Sequence, residues 1–291
     1  MIVPVFNDAD GLALCLRALE AQALPAGTFE VLVVDNGSDD DPTPIARQFS
    51  WARLVHESTP GAYAARNRGV EAATGVFLAF TDADCQPDPH WLKRAVQVLE
   101  SDAYIGLVCG PVVMQAAEPD RPTAAETYEI IWELNQTYTA RRVSVPDVVT
   151  ANLVTRRTVM DELGRFDTSV FSGADAEWGR RVAEAGYEVC FDDEVIVYHR
   201  ARHSLSGVVT RSRRMLGGSW AAAGDTGRQT IIRNALRRLR PRVRLYAQQF
   251  RRHGVTSWHR RAQFIAVDLA VVAGMAWEAV RLWAGGRPER R

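Results

Sequence analysis

Between Ile2 and Val113, short runs rich in β-branched and apolar residues alternate with segments of helical periodicity, and no other feature constrains the fold as much. Strands are expected at Ile2–Phe6, Glu30–Val34, Arg53–His56, Val76–Phe80 and Ile105–Val113. Helices are expected between them at Leu12–Ala23, Thr43–Phe49, Ala62–Ala73 and Pro89–Glu100. A helix between two strands brings the chain back to its starting edge, so successive strands pair in parallel and the helices cover both faces. The expected class is therefore α/β, with a Rossmann-like, mostly parallel sheet flanked by helices.

The later sequence is patterned differently. A helix is expected over Thr123–Arg142, a strand over Val148–Thr155, helices at Arg157–Leu163 and Asp175–Ala185, and short strands at Glu188–Phe191 and Val195–Tyr198. Past a soft boundary near Ser204 the pattern is mainly helical, with breaks expected at Gly217-Gly218, Gly224-Asp225, Pro241 and Gly254. With 291 residues, 47% of them apolar and 24% charged, the chain can bury a substantial core and is not a disordered or low-complexity protein. Its net charge of zero hides an imbalance: residues 1–194 carry 15 basic and 31 acidic side chains, residues 195–291 carry 20 and 4. An acidic body is followed by a basic tail. The four cysteines form no C-x-x-C pair and no zinc spacing, which fits reduced thiols. The opening run Ile2-Val3-Pro4-Val5-Phe6 has neither a basic leader nor a cleavage site, and a cytoplasmic setting is expected.

Asp82 and Asp84 follow the fourth expected strand. In extended chain, residues two apart face the same side, and open parallel sheets bind ligands beyond their carboxyl ends. Two such carboxylates repel unless a cation lies between them or one takes a proton, and a divalent ion carrying a phosphorylated ligand resolves the conflict. Taken alone, the motif also fits a solvated turn.

Its companions carry more. Ile2-Val3-Pro4-Val5-Phe6-Asn7-Asp8, Val33-Val34-Asp35-Asn36-Gly37-Ser38-Asp39-Asp40, Gly61-Ala62-Tyr63-Ala64-Ala65-Arg66-Asn67-Arg68-Gly69 and Phe80-Thr81-Asp82-Ala83-Asp84 fall in this order at successive strand ends or following helices. Together they closely resemble the nucleotide-sugar half of family-2 glycosyltransferases, which have the GT-A fold, over roughly residues 1–205. The resemblance implies that Asp35 holds the base of the nucleotide and that Asp39, or neighbouring Asp40, supports its loop. It further implies that Pro4, Phe6 and Asn7 wall the base pocket, and that Gly61, Arg66 and Asn67 lie on the donor side near base and diphosphate. Asp82 would meet the ribose or donor sugar, and Asp84 the metal, Mn²⁺ or Mg²⁺.

Ser172-Gly173-Ala174-Asp175-Ala176-Glu177 resembles the family's G-E-D-x-D/E segment, with Ala174 standing where a Glu is usual. That places the general base at Asp175 and leaves Glu177 and Trp178 as acceptor-side candidates. Residues two apart on a helix do not share a face, so Asp175 and Glu177 serve different ends. Ser172-x-x-Asp175 also fits a helix-capping pattern. His199, ending the run from Val195, takes the position of a histidine that often completes the family's metal site.

In the tail, residues 228–261 hold eleven arginines and no acid. They precede an apolar stretch, 262–284, interrupted by Asp268, Glu278 and Arg281. At ~100° per residue these three fall within about 140° of one another, and a helix lying at an anionic membrane surface fits that pattern better than one crossing the bilayer. Packing on the protein itself is the alternative. No nucleic-acid-binding module accompanies the arginines.

The expected organisation is a GT-A catalytic domain at 1–203, divided into a nucleotide-sugar half (1–115) and an acceptor half (116–203), followed by an Arg-rich helical region at 204–291. The expected activity is inverting, metal-dependent transfer of a sugar from a nucleotide-diphosphate donor, UDP by family habit, to a hydroxyl of a lipid-linked acceptor or growing glycan. The enzyme would lie at the inner face of the cell membrane. A non-catalytic nucleotide-sugar-binding or scaffold protein is the alternative, and a sugar nucleotidyltransferase fits less well because Asn7-Asp8-Ala9-Asp10-Gly11 is not its Gly-rich phosphate loop.

Overall fold

The computed structural model describes residues 1–25, 27–132, 148–170, 172–240 and 242–288. They form two compact units. Among the described residues, the first holds 1–113, 148–169 and 174–199; the second holds 114–132, 170, 172–173 and 200–288. The segment 116–132, expected in the acceptor half, thus belongs with the C-terminal helices rather than with residues 148–199.

The first unit is built on a sheet of seven strands: β1 (Ile2–Val5), β2 (Val31–Asp35), β3 (Ala52–His56), β4 (Phe77–Phe80), β6 (Ile105–Cys109), β8 (Leu153–Arg156) and β9 (Glu188–Phe191), in the order β3-β2-β1-β4-β8-β6-β9. Its β1–β2, β2–β3, β1–β4 and β6–β9 pairs are parallel, while β8 runs antiparallel to both neighbours. Every residue of β2 and of β6 is buried, as expected of strands covered on both faces. Helices α1 (Ala9–Glu20), α2 (Thr43–Ala46), α3 (Ala62–Ala72) and α4 (Trp91–Ser101) provide the crossovers. A Cβ at Gly69 of α3 would lie 2.4 Å from Ile2 Cγ2, so glycine is what lets that helix sit directly on β1.

The long strand expected at Ile105–Val113 is two strands, β6 and β7 (Val112–Gln115), parted at Gly110-Pro111. A Cβ on Gly110 would come within 2.0 Å of the Val195 carbonyl, so the chain bends where a neighbouring backbone crosses it. β7 belongs to a small second sheet ordered β5-β10-β7, with β5 at Cys85–Pro87 and β10 at Val197–Arg200. The sequence reading missed β5 because three residues are too few to show a period. It pairs antiparallel with β10 and sets Cys85 opposite His199.

One register detail opens the site. Met1 and Val5 direct their carbonyls to β2, and Ile2 directs its carbonyl to Thr81 just past β4. By the two-residue alternation of a strand, Pro4 faces β4 as well, and it has no N–H to donate. Among the described residues β1 and β4 are paired at Ile2↔Phe80 alone. The strands part beyond that point, where the sheet order reverses, which is the crevice where open α/β sheets bind ligands.

The second unit is helical: α5 (Ala124–Trp132), α8 (Leu205–Ala222), α9 (Asp225–Arg237), α10 (Val243–Arg252) and α11 (Trp258–Trp283). The break expected at Gly217-Gly218 is absent, and α8 runs through it. A Cβ on Gly218 would sit 2.2 Å from Ser172 Oγ, so this glycine permits a close approach and does not end a helix. Breaks do occur at Gly224, which caps α9, and at Gly254, whose φ is +62°. Of the helix expected over Thr123–Arg142, the part beyond residue 132 lies outside the described residues.

Helix α11 corrects the amphipathic reading. Asp268 and Glu278 are each 1% exposed and face inward, where Asp268 takes Arg242 and the hydroxyls of Tyr128 (3.1 Å) and Tyr246 (2.5 Å). Glu278 takes Arg213 (3.1 Å) and Arg281. The outward stripe is apolar instead, and includes Leu269, Trp277 and Val280, with Trp258 and Trp283 exposed at the helix ends. A helical wheel gives angles between side chains but not which sector packs. Here the charges are satisfied inside by arginines and tyrosines from α5, α8, α10 and α11 itself.

Candidate active site

At the carboxyl end of β2, Asp35 is 8% exposed. Its Oδ1 accepts from the Ser38 amide at 3.0 Å and its Oδ2 lies 3.2 Å from His56 Nδ1. The β2–β3 register pairs Asp35 directly with His56, which reading the sequence one strand at a time had not singled out. Asn36 is consumed structurally: its Nδ2 donates to the carbonyls of Glu57 and Thr59, and its Oδ1 accepts from the Gly61 amide at 2.7 Å. That fixes Gly61, whose φ of +133° favours glycine, at the start of α3. Asn7, at φ +51°, and Asp39 join the ends of β1 and β2 through an Asp39 N–H to Asn7 Oδ1 bond of 2.7 Å. Asp40 accepts from the Ala9 amide. Pro4 and Phe6 are half-buried along the same lip.

Asp82 and Asp84 do not point the same way. The Cys85 amide donates to the Asp82 carbonyl at 3.0 Å, closing a turn where extended chain was expected. Each carboxylate has its own neighbour, Asp82 the Arg66 guanidinium and Asp84 the His199 imidazole, with Asp84 Oδ2 3.3 Å from His199 Nε2. Arg66 is 5% exposed, lies over the Tyr63 ring with Cζ 5.4 Å from its centroid, and its Nε finds no acceptor among the described residues. Burial works against its charge most strongly, yet Asp82, Tyr63 and Asp175 together raise its pKa above the ordinary value. Both ends of the Asn67 amide are taken by the Phe166 backbone, at 2.8 and 3.2 Å, so the side chain expected on the donor side pins that segment.

The third group is Asp175, in the first turn of α7 (Ala174–Glu184), which follows α6 (Arg157–Leu163) in the chain. Its Oδ1 accepts from Tyr63 Oη at 2.9 Å, and its Oδ2 from the Thr150 amide at 3.1 Å and hydroxyl at 3.4 Å. The carboxylate is thus directed across the unit toward α3 and away from a cap on Ser172. Burial, and then the Asp175 charge, push the Tyr63 hydroxyl well above its usual pKa, so it remains a donor. Tyr63 and Thr150 were not singled out beforehand, since the link spans 112 residues.

The acceptor-side candidates fare differently. Glu177 pairs with Arg181 one turn along α7 at 2.9 Å. Trp178 is fully buried, donates to the Gly164 carbonyl at 2.8 Å and packs on Phe166. It offers no surface to an acceptor and is a core residue. Ala174 is 1% exposed, so the position holding Ala in place of Glu is a packed one.

Atoms of Asp84, Cys85 and His199 able to bind a metal lie within 4.8 Å of one another. A carboxylate oxygen and an imidazole nitrogen suit Mn²⁺, and the oxygen suits Mg²⁺. Burial, then Asp84 and Asp82, raise the Cys85 thiol well above 9.0, so it stays protonated and the hard donors define the set. The residues present fit a divalent ion of that kind.

The sequence model of Glycosyl transferase family 2 matches residues 1–164, which include the crevice and both aspartates of the turn. The chain belongs to glycosyltransferase family 2. The chain is similar to "Glycosyltransferase AglE" of Haloferax volcanii, at 39% identity over 207 residues, 69% of this chain and 66% of AglE. It is also similar to the "Pre-mycofactocin glycosyltransferase" of Mycobacterium tuberculosis, at 29% over 229 residues, 76% of this chain and 46% of that protein. It thus spans less than two thirds of either relative's length. Among solved structures, the mannosyltransferase PcManGT from Pyrobaculum calidifontis, in complex with GDP-Man and Mn²⁺, superimposes with a TM-score of 0.62 at 21% identity, covering 97% of this chain and 86% of that one. S. aureus TarS 1–349 in complex with UDP gives 0.55 at 16%, covering 98% and 90%. The shared fold is GT-A: a mostly parallel central sheet with a helical C-terminal region.

Proposed function

We propose that this family-2 glycosyltransferase moves a sugar, with inversion, from a nucleotide-diphosphate donor to a hydroxyl of a lipid-linked acceptor or growing glycan. The observation that carries the reading is the convergence of three differently held carboxylates on the crevice side of one unit: Asp35 at β2, Asp84 beside His199, and Asp175 against Tyr63. Asp35 accepts a base N–H, with Asn7, Asp39, Pro4, Phe6 and Gly61 shaping the pocket around it. A UDP donor is favoured by family habit, and the Asp35 carboxylate, set by Ser38 and His56, offers an acceptor to a base N–H. Arg66 and Asp82 hold the ribose and diphosphate side, and the Arg66 Nε left without an acceptor suits an anionic ligand.

Asp84 and His199 would hold Mn²⁺ or Mg²⁺. When bound, that ion supplies positive charge against the departing diphosphate. Asp175, oriented by Tyr63 and Thr150, takes the acceptor hydroxyl proton as the oxygen attacks the anomeric carbon. The anomeric C–O bond to the diphosphate breaks, and its electron pair leaves with that group. One base on the face opposite the leaving group gives inversion. The second reading, a non-catalytic nucleotide-sugar-binding or scaffold protein, draws on Ala174, and Asp175→Asn separates the two: donor binding survives in both, and only an enzyme loses turnover.

We place the enzyme in the cytoplasm, peripheral to the inner membrane face. In support, α11 is long and apolar enough to cross a membrane by length and composition, and its outward stripe carries three exposed tryptophans. With its two acids paired inside, that stripe suits lying in the interface better than spanning it.

Calorimetric titration with UDP-, GDP- and dTDP-sugars, with and without Mn²⁺, tests the donor and metal assignments, with Asp84→Ala as control. Metal-dependent binding of one nucleotide class, lost in the variant, is the expected result. Binding of every donor unchanged by Mn²⁺ and by Asp84→Ala would overturn the metal site, and no binding by any donor would favour the scaffold reading.

A further inference from the structure

The second unit carries a groove of about 590 Å³ between α10 and the first half of α11. Its lining is apolar and includes Ala247, Phe250, Ile265 and Leu269. Arg238, Arg240, Arg251 and Arg261 complete it. Among the described residues no carboxylate comes within ion-pair distance of any of these four guanidiniums. Nearby acids are committed elsewhere in the unit, Asp268 to Arg242 and Glu278 to Arg213 and Arg281. What contacts they make are of another kind: Arg238 reaches Met275 Sδ at 3.6 Å, Arg251 and Arg261 donate to the carbonyls of Ala247 and Val255, and Arg261 lies over the Phe250 ring.

Four cations without a counter-charge around one apolar trough repel one another, and an occupant with an anionic head and a hydrocarbon body relieves both problems at once. Guanidinium favours phosphate because its fork of donors matches two phosphate oxygens, and every basic residue of the tail is arginine. A second copy of the chain meeting this groove through its own arginine-rich face would bring the same positive charge. A single-stranded nucleic acid stacks its bases on outward aromatic faces, whereas Tyr246 and Phe250 are packed with Phe264, and a nucleic acid has no hydrocarbon body for the apolar floor. Leu269 belongs both to the groove and to the exposed stripe of α11, so the trough opens onto the apolar surface.

We propose that this groove binds one anionic membrane phospholipid, its phosphate on the arginine rim and an acyl chain along the apolar floor. The proposal rests on the membrane-face reading for its biological setting and is tested separately from it. Decyl phosphate, below its micellar concentration, is titrated into the full chain by calorimetry, with inorganic phosphate and decyl maltoside as probes of head and tail alone. Saturable binding of one decyl phosphate is expected, at least tenfold tighter than either probe. Ala247→Trp, which fills the trough, and the surface variant Arg240→Glu/Arg251→Glu should each weaken it at least tenfold while donor binding is unchanged.

Equal binding of all three probes, or unaltered decyl phosphate binding by both variants, overturns the groove. Flotation with phosphatidylcholine vesicles, with and without phosphatidylglycerol, reads the membrane assignment independently. Flotation of the wild type with no decyl phosphate site refutes the groove and keeps the membrane reading. A decyl phosphate site with no flotation on any vesicle does the reverse.

Discussion

Replacing Asp268 by Ala tests the inward orientation of α11. The structure buries this carboxylate at 1% exposure against Arg242, Tyr128 and Tyr246. Removing one member of a buried ion pair costs ~3–5 kcal/mol, because the partner's charge stays behind unpaired. Arg242 keeps 20% of its side-chain surface in water, which argues for the lower end, about 3 kcal/mol. Were the helix to present Asp268 to solvent, the loss would stay within ~0.5 kcal/mol, as for most surface changes. With a urea slope of about 2 kcal/mol per M, the buried arrangement predicts a midpoint lower by ~1.5 M. Circular dichroism follows the helices, and tryptophan fluorescence in parallel shows whether the two units unfold together. Replacing both partners by leucine should recover part of the loss, since the double change leaves no orphan charge while the Tyr128 and Tyr246 hydroxyls still lack their acceptor. A single-variant shift below ~0.5 kcal/mol would falsify the inward placement.

Other outcomes follow from the same contacts. Asp175→Asn should lower turnover by ~10²–10⁴-fold while the donor dissociation constant, read by calorimetry, stays within a factor of about three. Tyr63→Phe removes a 2.9 Å hydrogen bond to that carboxylate, about 1.5–3 kcal/mol, and should cost ~10–100-fold in kcat with little change in donor KM; an unchanged kcat would show that Tyr63 does not position the base. Asn36→Leu loses three hydrogen bonds to backbone and should destabilise by ~2–4 kcal/mol in urea titration, weakening donor binding through the displaced Gly61. Burial is the largest single influence on both Glu126 and Glu278 and pushes each pKa up, but the hydrogen bonds they accept outweigh it and hold each below 4.5. Their contribution to stability is therefore complete above about pH 4.5 and lost as pH falls through the lower folded values, which thermal melts of the helical signal between pH 6 and 3 should show as a falling Tm.

The sequence by itself settled what local pattern can settle. Alternating strand and helix periods gave the α/β class and the mostly parallel sheet, because the side-chain period and the crossover requirement are properties of consecutive residues. The ordered motifs at Asn7, Asp35, Arg66 and Asp82-x-Asp84 gave the family, and the charge imbalance marked the tail. Gly217-Gly218 read as a break and proved a close packing contact, because a glycine's role depends on what approaches it. Asn67 and Trp178 read as donor-side and acceptor-side residues and proved to be taken up by Phe166 and Gly164, since a motif cannot tell an available polar group from one already bonded. The pairs His56–Asp35, His199–Asp84 and Tyr63–Asp175 lie 21, 115 and 112 positions apart in the chain, and sheet register and helix packing decided them. The outward face of α11 was decided in the same way. A helical wheel fixes the angles between side chains, but only the neighbours that bury one sector determine which side meets protein.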